Sequence, residues 1–102
     1  MLRRNRFADV VHRQLDLFAE DEAALLAEAT DTDAAWTNAG AGESEELYGD
    51  YQLVVDAIGE RLHDIRQTYA ATLDPATAAR YRAAFTRAAK KRFGRLADFL
   101  GE

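Results

Sequence analysis

At 102 residues, 48% hydrophobic and 30% charged, the chain has the size and balance of one globular domain and not of a disordered segment. It has no cysteine, one proline and six glycines, which excludes disulfide frameworks, thiolate metal sites, cysteine nucleophiles and a fold of many short strands. The net charge of −5 hides a segregation: +3 over residues 1–15, −13 over 16–64 and +5 over 65–102, an acidic middle between two basic ends.

Alanine fills 21 positions and arginine supplies 11 of the 13 basic residues, a bias that suits helices because neither side chain loses much rotamer freedom there. The N-terminal MLRRNRFADVVHRQLDLF is charged throughout and has no small-residue cleavage site, so it reads as helix and not as a signal peptide. Phe7, Val11, Leu15, Phe18, Glu22, Leu25 and Ala29 form one stripe, with Val10, Leu17 and Leu26 beside it. This predicts a first helix over about 5–36, with Asn5 as its candidate cap. The run Thr30-Asp31-Thr32-Asp33 is a poor helix former and marks the place where continuity is in question. Trp36 precedes Asn38-Ala39-Gly40-Ala41-Gly42, which reads as a flexible linker.

A second helix is predicted over about 44–72. Tyr48, Tyr51, Val55, Ile58, Leu62, Ile65 and Tyr69 recur at alternating steps of three and four, a heptad that strand alternation cannot produce. Leu47, Val54 and Leu73 widen the stripe, and Ser44 with Glu45 and Glu46 behind it is the expected start. Gly59, directly after Ile58, is expected to let a neighbouring helix approach closely. Asp74-Pro75 opens a third helix, over about 75–93, by an N-cap carboxylate and a proline in the first turn. Its inner face carries Tyr81, Ala84, Phe85 and Ala88, with Lys91 or Arg92 next on it. Phe93-Gly94 reads as a stop, with Gly94 able to take positive φ, followed by a short terminal turn over about 95–100 or a bent continuation.

Short connections between these helices make consecutive ones antiparallel neighbours. The expected fold is all-α, a single domain over 1–102: an up-down-up antiparallel three-helix bundle. Its first two helices form a hairpin with arms of about 45 Å at 1.5 Å rise per residue, and the third is shorter. No segment is long and apolar enough to span a membrane, and the expected location is cytoplasmic.

Four constellations invite a chemical reading. The pairs Asp9-x-x-His12 and Glu60-x-x-His63 have the spacing that ferritin-like di-iron bundles use. Both fall at outer heptad positions, however, and read better as solvated i, i+3 pairs; Glu22, on the core stripe, is the acid whose burial would favour a metal. Nucleophilic catalysis lacks support, since Ser44 is the only serine and no glycine-rich phosphate loop is present. The chain therefore reads as a non-enzyme with no cofactor and no metal ligand. Arg87, Lys90, Lys91, Arg92 and Arg95 form a candidate polyanion patch at the basic end of the third helix. The plainer account of that patch is internal pairing with the acidic middle and a favourable helix dipole. Trp36, Leu47, Tyr48 and Tyr51 are the candidate partner surface, set against ordinary packing of amphipathic tyrosines in a core.

The segments RNRFADVVHRQLDLFAED, ELYGDYQLVVDAIGERL, TYAATLD and YRAAFTRAAKKRF resemble an uncharacterised family of helical proteins of about this length from high-GC actinobacteria. The resemblance implies a bacterial origin and a helical fold and carries no activity and no functional residues. The reading that follows is a helical protein–protein interaction or self-association module, its partner a second copy (a homodimer) or another protein. Nucleic-acid or polyanion binding through the third helix is the alternative, disfavoured by the acidic net charge, and a ferritin-like metal-binding bundle is the third.

Overall fold

The computed structural model describes residues 6–101. They are all-helical, in the order α1 (Ala8–Asp21), α2 (Ala23–Thr37), α3 (Ser44–Ala70), α4 (Pro75–Phe93) and a terminal 3₁₀ segment (Gly94–Leu100). The molecule is elongated, with extents of 54 × 27 × 23 Å. Four α-helices are therefore found among the described residues where three are expected, because the first element divides.

The division falls at Glu22, where φ −110° and ψ 28° leave the helical region for one residue, and not at the Thr-Asp run. That run stays helical. The hydroxyls of Thr30 and Thr32 donate to the carbonyls of Leu26 and Glu28 one turn back, at 3.3 and 2.9 Å, and so satisfy themselves without leaving the helix. A physical reason for the bend lies in the two different partners on either side of it. α1 packs against α4, where Phe18 meets Phe93 edge-on at 5.4 Å, whereas α2 packs along α3, where Trp36 meets Tyr48 and Tyr51. One straight helix cannot follow both.

The stripe read from the sequence is nonetheless the buried one in α1: Phe7, Val11, Leu15 and Phe18 are buried, as is Ala29 in α2. In α3 the core runs through Tyr51, Val54, Val55, Ile58, Leu62 and Ala70, while Ile65 and Tyr69 are half-buried and Tyr48 lies out at the surface. α4 contributes Ala78, Tyr81, Ala84, Phe85, Thr86 and Ala89. Tyr81 sits at the centre, fully buried, its ring between Phe7 (5.5 Å) and Tyr69 (4.7 Å) and its hydroxyl donating to Gln14 Oε1 at 2.7 Å.

Caps explain the helix ends. Asp74 Oδ2 accepts from the Thr77 N–H at 3.2 Å with Pro75 in the first turn, as the sequence predicts. Gly94 ends α4 at φ +61° and ψ −135°, a region open to glycine and strained for other residues. Ser44 does not cap α3: Glu43 holds the N-cap position without a side-chain bond, and Ser44 Oγ donates to the Ala41 carbonyl at 3.4 Å. The predicted cap Asn5 lies outside the described residues. After Gly94 the 3₁₀ segment folds back on α3, burying Ala97 and Leu100, and Phe99 seats on Gly59.

Candidate functional site

The basic end of α4 is divided in its roles. Arg92 Nη1 donates to Asp16 Oδ1 on α1 at 2.6 Å, and Arg95 Nη2 donates to Asp33 Oδ1 on α2 at 2.9 Å. Arg95 also lies over the Tyr51 ring, 5.6 Å from its centroid. These two cations of the five are bound to the acidic middle of the same chain. Arg87, Lys90 and Lys91 make no ion pair among the described residues.

Arg87 and Lys91 stand four residues apart on the rim of an open groove of about 650 Å³ between α1 and α4. Its floor is apolar: Phe7, Val11 and Leu15 from α1, Ala84 and Ala88 from α4. The alanines contribute to the groove, because their short side chains leave the space between the two helices unfilled at this level. His12, Asp16 and Arg92 also line the groove: His12 Nε2 lies 3.3 Å from Asp16, which also receives Arg92.

The aromatic residues lie at the other end. Trp36 stacks on Tyr51 at 6.0 Å and 14°, and Tyr48 leans on Trp36 at 4.9 Å. Tyr51 is 7% exposed and belongs to the core, whereas Tyr48 is 44% exposed and Trp36 and Leu47 are half-buried. The four predicted residues are thus brought together, but three of them offer surface and one does not. Around them are the exposed acids Glu43, Glu45, Glu46 and Asp50.

The histidine–carboxylate pairs are arranged differently from the expected i, i+3 contacts. His12 engages Asp16 one turn on, and His63 approaches Asp64 at 4.0 Å while its ring edges Phe99 at 6.4 Å. Glu22 is half-buried at the α1–α2 bend, where Arg61 Nε reaches it at 3.4 Å, a contact that accounts for its place on the core stripe. Among the described residues no group of three or more histidine and carboxylate side chains is placed to share a metal ion, and no helix is long and apolar enough to cross a membrane.

Two features escape sequence reasoning. The groove is one, since it depends on how far apart two helices stand, although the alanines facing Val11 and Leu15 are a signal for it. Arg66 is the other. Its Nη1 donates to Thr86 Oγ1 at 2.6 Å and to the Leu100 carbonyl at 3.3 Å, tying α3, α4 and the terminal segment together, while its Nε is buried without a hydrogen-bond partner. Burial first, and then the nearby Arg82, lower the pKa of its guanidinium from the ordinary arginine value. Only its place beside the core residue Ile65 hinted at this.

No family model, no curated protein and no solved structure matches the chain.

Proposed function

We propose that the chain is a non-enzymatic helical interaction module of the bacterial cytoplasm, acting through helix-face contacts with a second copy of itself or with another protein. The observation that carries this reading is the groove between α1 and α4: an apolar floor with a cationic rim whose Arg87 and Lys91 lack an ion-pair partner among the described residues. Apolar floors flanked by uncompensated charge are how helices receive a partner helix, with the apolar part supplying affinity and the charges fixing orientation. Light scattering coupled to size-exclusion chromatography, with absorbance read at 260 and 280 nm at low and high salt, tests it. A complex that persists at high salt with a protein-like absorbance ratio is the expected outcome. The polyanion alternative draws on the same unpaired Arg87, Lys90 and Lys91, and it predicts a monomer carrying nucleic acid that salt removes steeply.

A further inference from the structure

Resting on that reading, we infer that the occupant of the α1–α4 groove is the acidic aromatic tip of a second copy of this chain, in a reciprocal antiparallel dimer. The two surfaces complement each other in charge, and both carry apolar side chains. The tip presents Leu47 and the half-exposed Tyr48 among Glu43, Glu45, Glu46 and Asp50; the groove presents an apolar floor beneath Arg87 and Lys91. Within one molecule the two cannot meet. Phe7 against Tyr81, itself beside Tyr69, turns one end of the groove toward the α3–α4 turn, and its Arg92 end stops short of the tip, which is the α2–α3 turn at one end of the 54 Å axis.

Two copies laid side by side in opposite directions bring each tip to the other's groove, so one two-fold operation satisfies both contacts. Arg92 and Arg95 are already held by Asp16 and Asp33, so the groove-lining charge left to meet a second copy is that of Arg87 and Lys91. The tyrosine ring supplies apolar area for the floor, while the charges select the antiparallel over the parallel arrangement, in which acidic tips would face each other.

The test is a charge exchange read by light scattering and by equilibrium sedimentation of the full chain. One variant carries Arg87→Glu and Lys91→Glu; the other carries Glu45→Lys and Glu46→Lys. Each alone places like charges at both contacts and is expected to elute at the 11.4 kDa chain mass, with wild-type helical circular dichroism. Mixed in equal amounts, the two variants have complementary charges at both contacts, and the expected result is recovery of twice that mass. Ala88→Trp, which fills the groove without changing any charge, is expected to lose the dimer as well. A wild-type dimer that both variants and Ala88→Trp leave intact overturns the inference while leaving the interaction reading standing. A wild-type monomer at every concentration overturns the choice of a second copy as occupant, and one that also carries salt-removable nucleic acid overturns the interaction reading too.

Discussion

The two ends of the molecule are held by different physics. The end built from α1, the second half of α3 and α4 buries Tyr81, Phe85, Ile58 and Leu62 completely, around one continuous apolar cluster. The tip built from α2 and the start of α3 buries only Ala29 from α2, with Leu25 and Leu26 partly buried against the core, and adds three rings, the Arg95 cation over Tyr51 and its exposed bond to Asp33. Exposed ion pairs contribute between zero and about 1 kcal/mol each, far less than burial of an aromatic side chain. Packing is therefore unevenly distributed, and the tip is expected to open before the rest of the chain unfolds.

The largest effect belongs to the first region. Phe85→Ala removes a fully buried ring from between α3 and α4 and is expected to cost about 3–5 kcal/mol in denaturant unfolding. Trp36→Ala is the matched change at the tip. It is expected to leave the global transition nearly in place while lowering hydrogen-exchange protection along α2. Equal losses from the two substitutions would show that the ends unfold as one unit.

The terminal segment is the bridge between the regions, and Gly59 is where it is seated. A Cβ at this position would run into Phe99 Cβ, which forces the segment to move. Gly59→Ala is therefore expected to destabilise the protein by about 1–3 kcal/mol, as overpacking does. In a Phe99→Gly background, which removes the Phe99 Cβ as well as its ring, the overlap is gone and the same substitution is expected to stabilise by roughly 0.5–1 kcal/mol, the ordinary helix gain of alanine over glycine. A double-mutant cycle in denaturant checks the reversal of sign, and additive losses would place the conflict elsewhere.

How legible each region is in the sequence follows from the same contrast. Phe7, Val11, Leu15, Phe18, Tyr81 and Phe85 announce themselves by spacing, because a large apolar side chain at helical period has one energetically sensible place to go. The caps at Asp74 and Gly94 are equally readable, since each depends on local backbone chemistry. The bend at Glu22 is not, because it arises from the competition of α3 and α4 for one helix, and nothing local in AEDEAA breaks a helix. Of the candidate sites, the aromatic cluster and the basic run are legible as composition. Which of their members are occupied internally, Tyr51 by Arg95 and Arg92 by Asp16, is a matter of distance between elements.

Alkaline pH separates the regions by a different route. Burial pushes the Tyr81 phenol up to about 12. A raised pKa in the folded state means that the folded chain holds this proton longer than the unfolded chain does. The stability it contributes is therefore fully present below pH of about 10 and is lost as pH rises toward 12. Thermal unfolding followed across that window is expected to show a decline in the wild type that is shallower in Tyr81→Phe. Parallel declines would assign the alkaline loss to other groups.

The smallest expected effect tests whether the tip is weak through its backbone as well as its packing. Gly49 lies in the first turns of α3, between the exposed Tyr48 and Asp50, and a Cβ there meets nothing within 4 Å. Its φ is negative, so alanine is sterically free to replace it, and the unfolded chain loses more freedom than the folded one. Gly49→Ala is expected to add roughly 0.5–1 kcal/mol to the stability of α3 at the tip. If the tip opens independently, the gain appears mainly as hydrogen-exchange protection near the start of α3, with little change in the global denaturant midpoint. A gain carried in full by the global midpoint would mean that α3 transmits order from the tip to the Tyr81 core, and that the two ends are one cooperative unit after all.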